Sequence, residues 1–275
     1  MDSTRLNYYE RAYSYRKPYY GSEVDSVTSP ENSEAPNDEW SRDWNEEFQT
    51  LIESLAGADN SKLLDTYSKL SRLAQDFTHV AKAYGKIIIM EKELPYQRKT
   101  IKPELEMGGV AGGLKYIHSG ILFKFSVDRF GIYGKDDEMS AKAAAHELKG
   151  FKEVFESRIP GLCIPLMCII DYRGFRLIAM SILPLQTLVY GSQNSGKDVH
   201  ASDALMNEKM EQLAKTLNLK GHQSGLTNSK FLYGPCDMEG HRGIDQRLYL
   251  LDLHRLFPPE KPPKGYVLPP LPRSF

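Results

Sequence analysis

The chain is poor in cysteine, in net charge and in long apolar runs. Its three cysteines, Cys163, Cys168 and Cys236, are too few and too scattered for a disulfide framework or a zinc site. Cys163 and Cys168 sit in a hydrophobic run and read as small apolar residues, which fits a reducing compartment. Lys and Arg number 35 against 36 Asp and Glu, a net charge of −1. That balance argues against a globally basic nucleic-acid binder, so no DNA partner is expected, while a local basic patch stays open. No run reaches the ~18 apolar residues that cross a bilayer. The opening MDSTRLNYYERAYSYRK has no apolar signal core. The expectation is a soluble, cytoplasmic protein without membrane insertion.

What is present is ordinary for a globular protein: 41% hydrophobic and 26% charged residues in a 275-residue chain. Residues 1–36 are polar with almost no aliphatics and read as a disordered tail. Tyr8, Tyr9, Tyr13, Tyr15, Tyr19 and Tyr20 alternate there with Arg5, Arg11, Arg16 and Lys17. Such interleaving could stack on single-stranded nucleic acid, but the preferred reading is a plain flexible tail. Residues 37–107 read as a helical and short-strand segment, 108–260 as the core, and 261–275 as a proline-rich tail.

Within this frame, Trp40, Trp44, Phe48, Leu51 and Leu55 share a helical face. A second helix is expected from Ser61 to about Tyr84, stopped by Gly85, with Lys86–Glu91 as a short strand. Strands near Leu114–His118 and Gly120–Val127 form a hairpin about Ser119-Gly120. Ser140 caps a helix that ends near Ser157, and Pro160 follows. A buried hairpin turns at Arg173-Gly174, and LQTLVYGS adds a strand. Ser202 caps a helix over about Asp203–Leu219, and the polar loop KGHQSGLTNSK follows. FLYGPCD and RLYLLDL suggest a last strand pair. The fold class is α+β, with helices and a mainly antiparallel sheet, and its order of elements allows a protein-kinase-like two-lobed core.

Three patterns carry candidate chemistry. Gly191 to Lys197 fits G-x-x-x-x-G-K, and LYLLD ends in a suitably placed Asp252, but Asp198 stands where a phosphate loop needs Ser or Thr for Mg²⁺. The helix that should open directly from that loop also starts too late. Gly108, Gly109, Gly112 and Gly113 precede strands and lack dinucleotide spacing. The third pattern is Lys124 on a strand, Glu147 on the next helix and Asp252 after a later strand. In a kinase these would grip phosphates and Mg²⁺. The loop that should carry a catalytic Asp reads GHQSG, leaving His222 as a weak catalytic candidate. His254, two residues beyond Asp252, shares a strand face with it, with a metal or a hydrogen-bonded cluster as the alternatives. Arg173, Arg176 and Arg255 are candidates for partner contact or for ion-paired framework.

Seven segments then carry a family resemblance: WSRDWNEEFQ, KFSVDRFGIYG, AHELKGFKEVFES, IIDYRGFRLIAMSILPL, LVYGSQNSGKDVHASD, LNLKGHQ and YLLDLHRLFPPE. In this order, from Trp40 to Glu260, they resemble the Clu domain of the clustered-mitochondria family. The resemblance implies a cytoplasmic role linked to mitochondrial distribution and to messenger RNAs for mitochondrial proteins, with RNA or protein partners. It supplies no catalytic residues. The family's ubiquitin-like region and helical repeats have no room here, so a stand-alone module or a piece of a longer protein is expected. Two readings follow: a non-enzymatic scaffold or binding module without a cofactor, and an ATP/Mg-dependent kinase-like phosphotransferase using Lys124, Glu147 and Asp252.

Overall fold

The computed structural model describes residues 42–55, 59–104, 114–129, 131–194 and 196–257. The tyrosine-rich segment, Trp40, the Gly108–Gly113 cluster and the proline-rich end lie outside the described residues. Helix α1 (Trp44–Glu53) starts at Asp43, whose side chain accepts the Glu46 N–H. Helix α2 (Asn60–Met90) starts at Asp59 in the same way. Short β1 (Pro103–Glu104), then β2 (Lys115–His118) and β3 (Ile121–Phe125) lead to helix α3 (Asp137–Ser157). Then come β4 (Leu162–Cys163), β5 (Met167–Tyr172), β6 (Phe175–Ser181), β7 (Leu185–Gly191) and β8 (His200–Ala201). Helix α4 (Ala204–Leu217) precedes β9 (Gly221–Ser224), β10 (Lys230–Tyr233), β11 (Glu239–Gly243) and β12 (Leu248–Leu251).

The fold is α+β. One five-stranded sheet runs β1-β2-β3-β6-β5 and is antiparallel throughout. A second runs β4-β12-β11-β7-β8, with β4 parallel to β12. Strands β9 and β10 form a separate pair. The two hairpins of the first sheet turn where expected. Ser119 and Gly120 have φ of 50° and 73°, and Arg173 and Gly174 have 49° and 79°. Positive φ at both central residues matches the right-handed strand twist.

Helix α2 lies on one face of the first sheet. Phe125, Leu177 and Ile170 are in register across β3, β6 and β5, and Ile170 reaches Gly85 of α2. Gly85 therefore does not stop the helix. It gives the backbone room against Ile170, and Lys86–Met90 continue as helix because their isoleucines Ile88 and Ile89 are buried there. Packing overrides the β-branched preference for strand. The opposite face carries α3, where the Arg176 guanidinium donates to the Ala141 carbonyl at 2.9 Å.

Other boundaries move for local reasons. Asp136, not Ser140, caps α3, and Asp203, not Ser202, caps α4. A fixed carboxylate beside the first helical N–H groups also meets the helix dipole. Part of the expected loop is strand: Gly221–Ser224 forms β9, which pairs with β10. The partner of β12 is β11, EGHRG, not FLYGPCD.

Helix α1 joins the two sheets. The Trp44 indole N–H donates to the Ser119 carbonyl at 2.9 Å, at the turn between β2 and β3. Asn45 donates to the Tyr249 hydroxyl of β12 at 2.8 Å. Arg247 holds Glu46 and Glu53 at 2.5 and 2.8 Å. Gln49 reaches the Ile164 carbonyl at 2.8 Å.

Candidate functional site

Lys124 sits opposite Ile178 in the β3–β6 register. The two-residue period of a strand sends Lys124 and Ser126 to the face away from buried Phe123 and Phe125. Ser126 continues the pairing, its N–H donating to the Arg176 carbonyl at 2.9 Å. Helix α3 covers this face with Ala143, Ala144 and Glu147. Together with Lys124 and Ile178 they line one cavity. Glu147 is only 4% exposed.

The third wall comes from the end of β12. Asp252 leaves the strand with φ 57° and ψ 52° and opens a 3-10 turn over Leu253–Arg255. A left-handed backbone at a non-glycine residue is the kind of strain that gathers at ligand sites. The turn docks on α3 because Gly150 has no side chain: a Cβ there would meet Leu253 Cβ at 2.6 Å and its carbonyl oxygen at 2.8 Å. Gly150 lies one turn from Glu147, so this contact brings Asp252 and His254 to the same cavity. The strand-face geometry expected for Asp252 and His254 is thus corrected. The strand ends at Leu251, and the turn is what brings both to the cavity.

Tyr133 closes the fourth side. Its loop is tied by Asp128, whose carboxylate accepts the N–H groups of Tyr133 and Lys135 at 2.8 and 2.7 Å. The Asp128 N–H in turn donates to Asp137 at 2.7 Å. Burial pushes the Tyr133 hydroxyl above its ordinary pKa. Burial likewise pushes His254 below its ordinary value, against the pull of Asp237 and Glu147. His254 Nε2 stands 3.7 Å from Asp237, and Arg255 pairs with the same carboxylate oxygen at 2.9 Å.

The sequence thus marked Lys124, Glu147 and Asp252 as a set, and the fold brings all three to one cavity. Ser126, Tyr133 and Gly150 were missed. Ser126 was readable as the residue two on from Lys124. Tyr133 and Gly150 gave no local signal, since their roles depend on a loop closure and a distant turn.

The cavity measures about 90 Å³. That is room for about three waters at ~30 Å³ each, against ~300–1,000 Å³ for pockets that enclose drug-sized ligands. Its inner part has room for a chemical group, and it opens to solvent. A larger hollow of about 360 Å³ lies beside Arg42, Trp44, Asp76 and Tyr84. Its main polar groups are already engaged: Arg42 holds Glu47 and Asp76 at 2.7 and 2.8 Å, and Trp44 holds Ser119.

The remaining candidates lie elsewhere. His222 is exposed on β9 and does not line the Lys124 cavity. Arg176 is a bidentate partner of Asp171, both bonds at 2.7 Å. Arg173 lies at the hairpin turn over the Tyr172 ring, 5.5 Å from its centre. The Gly191–Lys197 segment joins two strands, and Gly191 is required because a Cβ would collide with the Met238 carbonyl. Ser192 and Asn194 close this loop on itself through Gly196 and Asp198. Among the described residues no group of three or more His, Cys, Asp or Glu is arranged to hold a metal ion. Nor is any helix among them long and apolar enough to cross a membrane.

Comparison with known proteins bears on the whole of this architecture. Residues 43–261 match the family model described as clustered mitochondria. The chain belongs to the clustered mitochondria family. Proteins named clustered mitochondria protein homolog are similar to it across most of its length. One from Botryotinia fuckeliana is 28% identical over 235 residues, 81% of this chain and 17% of that protein. One from Neurospora crassa is 29% identical over 252 residues, 86% of this chain and 19% of that protein. One from Coccidioides immitis is 30% identical over 237 residues, 81% and 18%. The chain therefore spans less than a fifth of the length of these relatives. No solved structure matches. The family match covers both sheets, α1 and every wall of the cavity.

Proposed function

We propose that this chain is a non-enzymatic recognition module acting in the cytoplasm in the distribution of mitochondria, as a scaffold for protein or messenger RNA. The observation that carries the reading is the family match over residues 43–261, shared with relatives named for clustered mitochondria. The segment where a kinase carries its catalytic Asp supports the non-enzymatic part. No Asp or Glu lies between Lys220 and Lys230, and His222 is not among the residues that line the cavity. Removing residues 43–261 from the protein in cells is expected to collapse the mitochondrial network into clusters. An unchanged distribution by fluorescence imaging would sink the reading. Ultraviolet crosslinking separates the partners: recovered polyadenylated RNA supports RNA, and its absence leaves protein. Comparing a variant that lacks residues 1–36 tests whether the tyrosine-rich segment contributes.

A second reading, an ATP-dependent phosphotransferase, has one observation in its favour: Lys124, Glu147 and Asp252 line the same cavity. Phosphate release or transfer that is lost in Lys124→Met and Asp252→Asn would establish it. Unchanged turnover in both variants would exclude it.

A further inference from the structure

We propose that the cavity between β3, α3 and the turn after β12 binds a phosphoryl group together with Mg²⁺. The proposal concerns binding alone and stands apart from the role in mitochondrial distribution.

Its chemistry divides by wall. Lys124, Ser126 and Tyr133 line it with side chains that carry an ammonium and two hydroxyls, groups that suit phosphate oxygens. Glu147 and Asp252 present carboxylates, which repel a bare phosphate and attract a cation. Lys124 and Asp252 each already have a partner within the chain, so a ligand competes for them; one that engages both sides is anionic where it meets Lys124 and cationic where it meets the acids. A metal-bound phosphate has that form.

A second observation points to an external partner. Ser126 is 7% exposed, and its hydroxyl oxygen has no hydrogen-bond partner. A buried hydroxyl left unsatisfied is costly, so few are tolerated without a reason. Ser126 lies on the same strand face as Lys124 and lines the same cavity. Nothing in the family match assigns it a role.

The choice of Mg²⁺ rests on the two carboxylates, Glu147 and Asp252, that line the cavity. Among the described residues there is no cluster of three metal-ligating side chains. Mg²⁺ is commonly held by one or two carboxylates, with phosphate oxygens and water completing its shell, rather than by an all-protein cage. Two acids beside a phosphate-binding lysine meet that requirement. The cavity of about 90 Å³ sets the size. One phosphoryl group and its cation are of that order, and the rest of any larger ligand would extend out through the mouth. A nucleotide and a free pyrophosphate share this end.

Thermal melting of the 275-residue chain tests the idea, because a ligand that binds only the folded state raises its Tm. The probes are Mg²⁺ alone, adenosine, Mg²⁺ with pyrophosphate, and Mg²⁺ with ATP. The expected result is a Tm rise of about 5–10 °C at a hundredfold excess over Kd with the phosphate-bearing probes only. A rise with ATP that exceeds the pyrophosphate rise identifies a nucleotide; equal rises identify the phosphate end alone. The rise should shrink in Ser126→Ala and vanish in Lys124→Met and Asp252→Asn, while His222→Ala keeps it. Each variant's unliganded Tm and circular dichroism confirm folding, and Ser126→Ala serves where the charged variants fail. No rise with any phosphate-bearing probe overturns the proposal. So does an equal rise with Mg²⁺ alone, or a rise undiminished in every folded cavity variant.

Discussion

Two glycines show how differently the same residue type is used. A Cβ on Gly85 would meet Ile170 Cδ1 at 2.7 Å, the far end of a side chain that can rotate. A Cβ on Gly150 would meet Leu253 at Cβ and at the carbonyl oxygen. Both glycines sit in helix interiors, where alanine gains ~1 kcal/mol of helix propensity. Gly85→Ala is therefore expected to fall within about 1 kcal/mol of the parent protein. Gly150→Ala should lose roughly 1–3 kcal/mol, since backbone must move. Urea unfolding of the two variants checks the contrast, and similar midpoints would contradict it. His254 offers a test by pH. Burial holds its folded-state pKa below the ordinary value, so the unfolded chain takes up the proton first as pH falls. Its contribution is complete above about pH 6.5 and declines as pH drops below that, until the folded pKa is passed. Stability measured from about pH 7.5 to 5 should fall less steeply in His254→Asn than in the parent, provided the variant folds. Equal slopes would remove His254 as a source of acid sensitivity.

Among the elements, α4 depends on a single side chain in two ways. Asp203 accepts the Met206 N–H at 2.9 Å and holds Arg242 at 3.0 and 2.5 Å. Arg242 belongs to β11, so this residue caps the helix and ties it to the second sheet. Asp203→Ala should cost about 1–3 kcal/mol, cap and charge pair together. Asp203→Asn keeps the cap and should recover part of the loss, as measured by chemical denaturation. The tie from Asp203 was not legible in the sequence, where Ser202 was read as the cap, but turns and helix spans largely were. The turns at Ser119-Gly120 and Arg173-Gly174 were found because positive φ restricts the residue types there. Helices α3 and α4 were found by their periodicity, with caps misplaced by a few residues. The end of α2 was misread because Gly85 answers to Ile170, a contact between segments far apart in sequence. The pairing of β12 was misread for a related reason: both FLY and EGHRG precede it, and only the packed sheet selects between them. Lys124, Glu147 and Asp252 were legible from the order of elements. The left-handed turn that delivers Asp252 was not.

At the scale of the molecule, α1 carries contacts to both sheets on ten residues. Its Trp44 engages the first hairpin, and Asn45, Glu46 and Glu53 engage the second sheet. Asn45 is 2% exposed and shares the Tyr249 hydroxyl with Asp245, which accepts from it at 2.6 Å. Asn45→Ala should cost roughly 1–3 kcal/mol by leaving buried polar groups unpaired. The parent chain is expected to unfold in one transition, with tryptophan fluorescence and circular dichroism coinciding. Adding Arg247→Met to Asn45→Ala removes much of the link and should separate the two signals. Coincident curves in the double variant would show that the sheets hold together without α1.

The docking of the Leu253 turn on α3 has a bearing on ionic strength. The spacing between these elements is set where Gly150 meets Leu253, by repulsion between uncharged atoms at contact. Added salt screens exposed charges over distances of about 8 Å at physiological strength, and leaves such a contact unchanged. The spacing between α3 and the turn is therefore expected to hold across a salt series. Salt dependence of an ion captured there would then report the ion, its side-chain partners and the Asp128-tied loop that carries Tyr133.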